Sequence, residues 1–207
     1  MLQAAVTVAV RDGIEALTMR KVADELGAGA MSLYYYVPNK EQLLDEMIDI
    51  VFSEIDAPTT DVDWKTAMRN RAISTRDALR RHPWAVGLME GRTTHGPANL
   101  SLHNAVLGCL RAAGFSLEMT VHAYSVLDAY IYGFALQETD MSPETADDFA
   151  AEAQRQMQEY EAVLANYPHL VEVVGGYVAE SGYDYATEFV FGLDLILDAL
   201  EQRRDTA

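Results

Sequence analysis

The chain has 207 residues, half of them hydrophobic, so it can bury a sizeable core in one large domain or two small ones. Its formal net charge of −17 disfavours indiscriminate DNA binding, and its single cysteine, Cys109, excludes an internal disulfide and a cysteine-rich metal site. No run approaches the ~20 apolar residues of a membrane span, and no signal segment opens the chain. A cytoplasmic protein without a membrane partner is expected.

The acidic charge is distributed unevenly. Residues 1–57 carry 4 basic and 10 acidic groups, residues 58–115 carry 8 and 4, and residues 116–207 carry 3 and 18. Exposed charges separated by more than about 8–10 Å are largely screened at physiological salt. Basic side chains near the N-terminus can therefore still bind a polyanion, because most of the negative charge lies in the last part of the chain.

The segment Leu17–Lys40 predicts two short helices joined by a glycine turn. Thr18 is a suitable N-cap, and Gly27 stands where a left-handed residue ends a helix. The next run, Ala30–Tyr36, is too short to be stable as an isolated helix, and Pro38 ends it. This arrangement is typical of a helix-turn-helix whose second helix enters the major groove.

The exposed side of this segment carries aromatic, hydroxyl and basic groups, which predicts contacts to DNA. The alternative is that its tyrosines form a packed aromatic cluster, and for Tyr36 packing is at least as good an explanation as contact. The predicted DNA-binding residues are Thr18, Arg20, Ala30, Met31, Ser32, Tyr34, Tyr35 and Lys40.

The remaining sequence predicts further helices and no strand, since helical spacing of apolar residues dominates throughout. The fold class is all-α, with an N-terminal three-helix head at residues 1–56 and a larger helical body at residues 57–207, separated by the linker at residues 57–60. The predicted helices outside the helix-turn-helix cover residues 2–12, 40–57, 62–81, 83–89, 98–113, 117–138, 143–166, 169–174 and 183–203.

The motifs LTMRKVADELG and LYYYVPNKEQLL resemble the DNA-binding segment of the TetR family of bacterial one-component repressors. More loosely, HPWAVGLMEGR, LRAAGFSLE, YIYGFALQE and FVFGLDLILDAL resemble the family's C-terminal ligand-binding class, in the family's order. In the family the first helix is longer and follows a basic arm. Here Met1 stands where a buried aliphatic residue of that helix would be expected, so either the chain starts before residue 1 or the arm is missing.

The resemblance also implies a homodimer, because one head reads only a half-site. The helices near residues 117–138 and 184–203 would pack against their symmetry mates as a four-helix bundle. The alternative for their apolar stripes is a core within one chain. On the last helix the stripe consists of Phe189, Leu193, Ile196, Leu197 and Leu200.

No catalytic constellation, phosphate loop or metal-ligand spacing of histidines is found, so neither an enzyme nor a cofactor is expected. In the tetracycline-binding branch of the family, a histidine and a glutamate chelate the magnesium-bound drug. Here Met89 and Gln137 occupy those places, and neither is a good ligand for a hard cation. The resemblance therefore implies a small-molecule inducer other than magnesium–tetracycline.

The same alignment implies a ligand pocket, although each of its residues could equally belong to an ordinary core. Asp128 is the most informative, because a carboxylate is costly to bury without a partner. It either faces an arginine such as Arg71 or receives a ligand. The predicted ligand-binding residues are Trp84, Met89, His103, Val106, Leu107, Val121, Tyr124, Ser125 and Asp128.

Together these features predict a dimeric repressor that binds a palindromic double-stranded DNA operator and is released by a small-molecule inducer. The alternative is a helical dimeric interaction protein that keeps the fold but has lost DNA binding. The acidic charge and the missing arm favour the alternative, whereas Arg20, Tyr34 and Lys40 favour the repressor.

Overall fold

The computed structural model describes residues 1–89, 95–139, 146–178 and 184–204. Over these ranges the ordered elements are helical and none is a strand, which confirms the all-α prediction. No helix in the described ranges is long and apolar enough to cross a membrane. The helices are α1 (Leu2–Asp12), α2 (Met19–Leu26), α3 (Ala30–Leu33), α4 (Lys40–Ser53), α5 (Trp64–Arg81), α6 (Val86–Met89, after a 3-10 turn at Pro83–Ala85), α7 (Pro97–Ala112), α8 (Leu117–Thr139), α9 (Ala146–Glu159), α10 (Glu161–Leu164), α11 (Pro168–Val173, followed by a π-helical turn at Val174–Val178) and α12 (Tyr185–Arg204).

Local caps fix the helices of the head. The Thr18 hydroxyl accepts a hydrogen bond from the Lys21 amide at 3.2 Å, and the Asn39 side chain accepts one from the Gln42 amide at 2.8 Å. Gly27 ends α2 with φ of 64°, a left-handed conformation that a glycine adopts without strain. These interactions satisfy amides and carbonyls that every helix end leaves open. The starts of α2, α3 and α4 agree with the prediction, whereas α3 ends at Leu33 rather than at Tyr36 and α4 ends at Ser53 rather than at residue 57.

The head has a continuous apolar core formed by α1–α4, and two large apolar side chains of α1 and α2 lie outside it. In α1 Val8 is buried, whereas Val10 is 54% exposed; in α2 Ala23 is buried, whereas Leu26 is 42% exposed. Val8 follows Ala5 by three residues and therefore shares its face of the helix, whereas Val10 does not. The buried face of α1 thus consists of Ala5, Val6, Val8 and Ala9.

A second apolar cluster lies behind the head, where the end of α4 packs with α5, α6, α7 and α8. Trp64 contacts Phe115 edge-to-face with ring centroids 4.9 Å apart. Cys109 is buried, and this burial raises the pKa of its thiol, as fits a small packed hydrophobe. The stretch of residues 54–63, between α4 and α5, contains the predicted domain boundary and no helix.

Contacts divide the chain into two units, one with residues 1–139 and 196–207 and the other with residues 140–195. In the second unit the described part of the predicted acidic helix, 143–166, consists of α9 and α10, separated at Tyr160. The predicted cap at Ser142 and the joint at Ser181–Gly182 lie outside the described residues.

The last helix, α12, has two apolar faces, one buried and one exposed. Phe189, Leu193, Leu197 and Leu200 are 6% exposed or less within a single chain, so most of the predicted stripe belongs to a core. Phe191 and Leu195 are instead 62% and 57% exposed. The sequence pattern could not separate these two faces, because both carry large apolar residues.

Candidate DNA-binding face and ligand cavity

The tip of the helix-turn-helix is exposed, whereas its anchors are buried. Leu33 and Val37 are in the head core, and this fixes the opposite side of α3 toward solvent. Met31 is 82% exposed, Tyr35 86% and Tyr34 44%. Such large apolar and aromatic groups on α3 and the turn that follows it form a surface suited to base edges and phosphates.

Tyr36, for which packing was at least as good an explanation, is 70% exposed. Its ring meets that of Tyr35 edge-to-face with centroids 5.3 Å apart. This pair extends the exposed tip by one aromatic ring that was left out of the predicted contacts. The polar neighbour Ser32 donates its hydroxyl to the Gly29 carbonyl at 2.7 Å.

Two basic side chains flank the tip without an ion pair to any described residue, namely Arg20 at the start of α2 and Lys40 at the start of α4. Lys21, in contrast, binds Asp12 at 3.0 Å, and Arg11 binds both Asp12 and Glu25. This acidic and basic network ties α1 to α2 and compensates the charge of Lys21. Arg20 and Lys40 are therefore the more available phosphate ligands.

A cavity of about 640 Å³, partly open to solvent, lies in the body and is lined by α4, α6, α7 and α8. Five of the nine predicted ligand-binding residues line it, namely Met89, His103, Tyr124, Ser125 and Asp128. The other lining residues, which the sequence analysis missed, are Phe52, Val86, Gly87, His95, Asn99, Ala129, Tyr132, Gly133 and Leu136.

The other four predicted residues are not among the cavity-lining residues, for two physical reasons. Val106, Leu107 and Val121 continue the correct helix faces, but they lie one turn beyond the cavity. Val106 is buried in the core, whereas Leu107 and Val121 are 39% and 61% exposed. Trp84 packs against the core of the head as well as against the cluster behind it.

The missed residues on α8 carry a signal that the sequence contained. Tyr132 and Leu136 follow Asp128 at four-residue steps, so they continue its helix face toward the C-terminus. Phe52 and His95 carry no such signal, because they reach the cavity from distant parts of the chain.

Asp128 is paired with Arg71, so of the two predicted alternatives, an arginine partner or a bound ligand, the structure shows the arginine. The Arg71 Nη1 atom donates to Asp128 Oδ1 at 2.6 Å, with the arginine side chain 3% exposed and the carboxylate side chain 12% exposed. Tyr124 donates its hydroxyl to Asp128 as well. Burial, together with the negative charge of Asp128, raises the pKa of the Tyr124 phenol well above its usual range. The formal charges of this part of the cavity wall therefore cancel.

Helix α4 connects the DNA-binding tip with the cavity. Lys40 begins it beside the tip, and Phe52 on its last turn lines the cavity. In between, the Asp49 carboxylate accepts hydrogen bonds from the Ala98 amide at 3.2 Å and the Asn99 amide at 2.9 Å. Asp49 thereby caps α7, and the helix dipole adds to the attraction.

The contact between Asp49 and α7 requires a glycine. A Cβ atom placed on Gly96 would lie 2.2–2.6 Å from the carboxylate atoms of Asp49. Any larger residue would therefore displace the Asp49 side chain from the amides that it caps.

Metal chelation finds no support in the described ranges, where no group of three or more His, Cys, Asp or Glu side chains is placed to hold an ion. Met89 lines the cavity at the position that a histidine occupies in the tetracycline-binding branch. Its thioether is a soft and weak acceptor, unsuited to magnesium.

An exposed helix-turn-helix joined by one helix to a cavity in the helical body defines the class of protein, a ligand-responsive DNA-binding transcriptional regulator. Residues 1–47 match the family described as bacterial regulatory proteins, tetR family, and residues 57–204 match the tetracyclin repressor-like C-terminal domain. The chain belongs to the TetR family, whose members bind operator DNA as dimers.

Individual relatives agree with this assignment. The chain is 36% identical to the HTH-type transcriptional repressor DrrR1 of Streptomyces coeruleorubidus over 97% of this chain and 76% of DrrR1. It is 30% identical to the class A tetracycline repressor of transposon 1721 from Escherichia coli, over 99% and 90% of the two chains. The Streptomyces coelicolor protein ActR in complex with actinorhodin superposes with a TM-score of 0.79 and 25% identity, over 98% and 95% of the chains.

Proposed function

We propose that a small molecule in the cavity lowers the affinity of this dimeric repressor for its operator. The predicted DNA contacts, extended by Tyr36, would form the operator-binding surface, and the cavity of about 640 Å³ would be the inducer site. Residues 1–56 then act as the DNA-binding domain and residues 57–207 as the ligand-binding and dimerisation domain. We further propose that the protein acts in the cytoplasm and is not an enzyme.

One observation carries the ligand response: the segment at residues 83–89 faces the cavity and the head at the same time. Val86, Gly87 and Met89 line the cavity, whereas Trp84 and Leu88 pack against the core of the head. A ligand that displaces the first group must also move the second, because they share two short consecutive turns. Packed interiors respond to such displacement by shifting rather than by compressing.

Helix α7 provides a second connection. Asn99 and His103 line the cavity, and the amides of Ala98 and Asn99 hold the Asp49 carboxylate of α4. A ligand that moves the first turn of α7 therefore changes how α4 is held. Since α4 starts at Lys40 beside the tip, a small rotation of α4 changes the spacing of the two heads in the dimer. Operator half-sites require a fixed spacing.

The dimer interface that we propose uses faces that the single chain leaves exposed. On α8 these include Leu117, Val121 and Leu136, which are 54–74% exposed, and on α12 they include Phe191 and Leu195. Large apolar side chains exposed together on one helix are typical of an interaction surface. The family resemblance implies that both helices pack against a symmetry mate.

The inducer that we propose is not a magnesium–drug chelate, because the cavity offers a thioether at Met89 where a hard-cation ligand would be needed. ActR, which shares this fold, has been crystallised with the small molecule actinorhodin. A cavity of this volume lies within the usual range of roughly 300–1,000 Å³ for ligand sites.

Fluorescence anisotropy with the DNA upstream of the chain's own coding sequence tests the DNA-binding part. We expect specific binding that weakens as salt is raised, because phosphate contacts release counterions. If that DNA and random DNA bind equally weakly, the helical interaction protein without DNA binding becomes the better explanation.

Glycine substitutions test the connection through α7. Gly96→Ala should displace Asp49 and weaken operator binding at least tenfold. Gly108→Ala on the same helix is the matched control, since a Cβ there meets nothing within 4 Å and alanine favours the helix. Equal operator affinities of the two variants would show that the Asp49 contact does not set the position of the head.

A further inference from the structure

The second helix of the helix-turn-helix, α3, has a mostly apolar outer face, and this composition restricts which base it can read. Met31, which is 82% exposed, is the residue that matters most. The inference rests on the proposed function of the tip as the operator-binding surface. It deepens that function, because it names the chemical group that the protein recognises in the operator.

The segment that faces the groove lacks the side chains that usually read purines. Residues 28–38, which form the turn, α3 and the stretch before α4, contain no charged, amide or imidazole side chain. In the major groove guanine is recognised mainly by arginine or lysine, and adenine by asparagine or glutamine. Neither kind of contact is available from this segment, which leaves apolar groups and the hydroxyl groups of serine and tyrosine.

The hydroxyl group of Ser32 does not replace a guanine-reading side chain. It donates its proton to the Gly29 carbonyl at 2.7 Å, so its oxygen presents lone pairs to the DNA. Guanine offers only the acceptors N7 and O6 in the major groove, so this oxygen fits the amino group of adenine or cytosine instead. Tyr35 and Tyr36 follow the last residue of α3, and tyrosine hydroxyls commonly bind phosphate.

Met31 is placed to meet the edges of bases. It is the second residue of α3, and recognition helices contact bases with their N-terminal residues. Leu33, two positions later, is buried in the head core, which directs Met31 away from that core. A long, flexible, apolar side chain gains free energy when it packs against another apolar group. Among the unmodified bases, the C5-methyl group of thymine is the apolar group that the major groove presents.

We infer that Met31 recognises the C5-methyl group of a thymine in each operator half-site. The base pair that faces the start of α3 is therefore A·T rather than G·C. The two half-sites of a palindromic operator are related by the symmetry of the dimer, so the same contact occurs twice. Loss of one buried methyl group corresponds to a loss of affinity of about fourfold, and loss of both to about fifteenfold.

Deoxyuridine substitution tests the inference, because uracil keeps the pairing and the O4 acceptor of thymine and lacks only the methyl group. The operator is first obtained by selecting duplexes that bind the full-length dimer from a pool of random sequence. Each thymine of the selected palindrome is then replaced, together with its symmetry mate, and the affinity is measured by fluorescence anisotropy. We expect the affinity to fall about fifteenfold at one such pair of thymines. Pairs outside the half-sites should have no effect.

Variants of Met31 connect the methyl effect to this side chain. Met31→Ala shortens an exposed side chain, so the thymine and uracil duplexes should bind it with equal affinity at that pair. Met31→Leu keeps an apolar contact and should retain most of the preference. Tyr35→Ala is the matched control, because Tyr35 is 86% exposed after α3 and should contribute equally to both duplexes. Circular dichroism verifies that each variant is folded.

A methyl preference that persists in Met31→Ala, or that Tyr35→Ala abolishes instead, would overturn the assignment to Met31. A selected operator in which no uracil substitution changes the affinity would also overturn the inference, while the proposed binding to a specific operator would stand. If the pool yields no enriched sequence, the protein does not bind DNA specifically, and the proposed function fails together with the inference.

Discussion

The DNA-binding tip and the cavity wall are built in opposite ways. The tip is a short stretch whose functional side chains are exposed and whose geometry comes from nearby caps and turns, such as Thr18 and Gly27. The cavity wall assembles residues from four helices, and its carboxylate, Asp128, is buried against Arg71 behind the wall. At the tip, binding can therefore change without affecting the fold, whereas in the wall every change also affects stability.

The largest effect is expected at the buried ion pair. Arg71→Met leaves Asp128 buried without its partner, which should lower the free energy of unfolding by about 3–5 kcal/mol. Urea denaturation at fixed protein concentration measures this change. Arg155→Met is the matched control, because Arg155 makes an exposed ion pair with Glu152 and its loss should leave the midpoint unchanged.

Asp128→Asn should also destabilise the unliganded protein, because it leaves the Arg71 charge unpaired. If both the Arg71 and Asp128 variants unfold at the same urea concentration as the wild type, the pair is exposed in solution. Substitutions in the cavity wall would then not differ from those at the DNA-binding tip in their effect on stability.

Two leucines on α12 distinguish stability from association within the body. Leu193 is fully buried and Leu195 is 57% exposed, although they are identical in type and two positions apart. Leu193→Ala should cost about 2–5 kcal/mol of stability, as is usual for a buried leucine. Leu195→Ala should leave the folded chain intact and weaken the dimer in sedimentation equilibrium. The reverse pattern would place the dimer interface elsewhere.

At the tip we expect losses of binding without loss of stability. Tyr34→Ala should weaken specific operator binding by about 1–3 kcal/mol, since it removes a contact at the groove. Tyr167→Ala, equally exposed in the body, is its control. Arg20→Ala and Lys40→Ala should weaken all DNA sequences alike and each lower the salt slope by about one. Wild-type affinity and salt slope in these variants would remove the tip from the operator interface.

The two regions also differ in how far the sequence predicts them. In the head, Thr18, Gly27 and Asn39 act on their immediate neighbours, so the pattern determined the helix starts, the end of α2 and the exposed face. The sequence also indicated that Asp128 needs a partner, because a buried carboxylate is costly to leave unpaired. Its pairing with Arg71 depends on packing between α5 and α8, which the sequence could only offer as one alternative.

The wrong or missing assignments concern residues whose surroundings are determined by contacts with distant parts of the chain. The family alignment implied that Trp84 lines the cavity, yet it packs against the head, because neighbouring residues of this short helical segment face opposite ways. Phe52 and His95 were missed, since nothing in their local sequence indicates the surface that they meet. The two faces of α12 were not separated, because apolar residues occupy both.

The smallest effect concerns Asp12, whose network with Arg11 and Lys21 ties α1 to α2. The hydrogen bond from Arg11, followed by that from Lys21, lowers the pKa of Asp12 from its usual 3.8 to about 2. A lowered pKa means that the carboxylate contributes stability above its unfolded value and loses it as the pH falls through its folded value. The contribution should therefore disappear between about pH 4 and pH 2, which carboxyl-carbon NMR titration can follow.

The variants of this network also test whether Lys21 belongs to the DNA-binding face. Arg11→Ala should raise the pKa of Asp12 more than Lys21→Ala does, because Arg11 supplies the stronger hydrogen bond. Since Lys21 is already paired with Asp12, Lys21→Ala should leave the salt slope of operator binding unchanged, unlike Arg20→Ala. If Lys21→Ala lowered the slope by about one, Lys21 would exchange Asp12 for a phosphate when DNA binds. The network would then be part of the operator interface rather than a brace between α1 and α2.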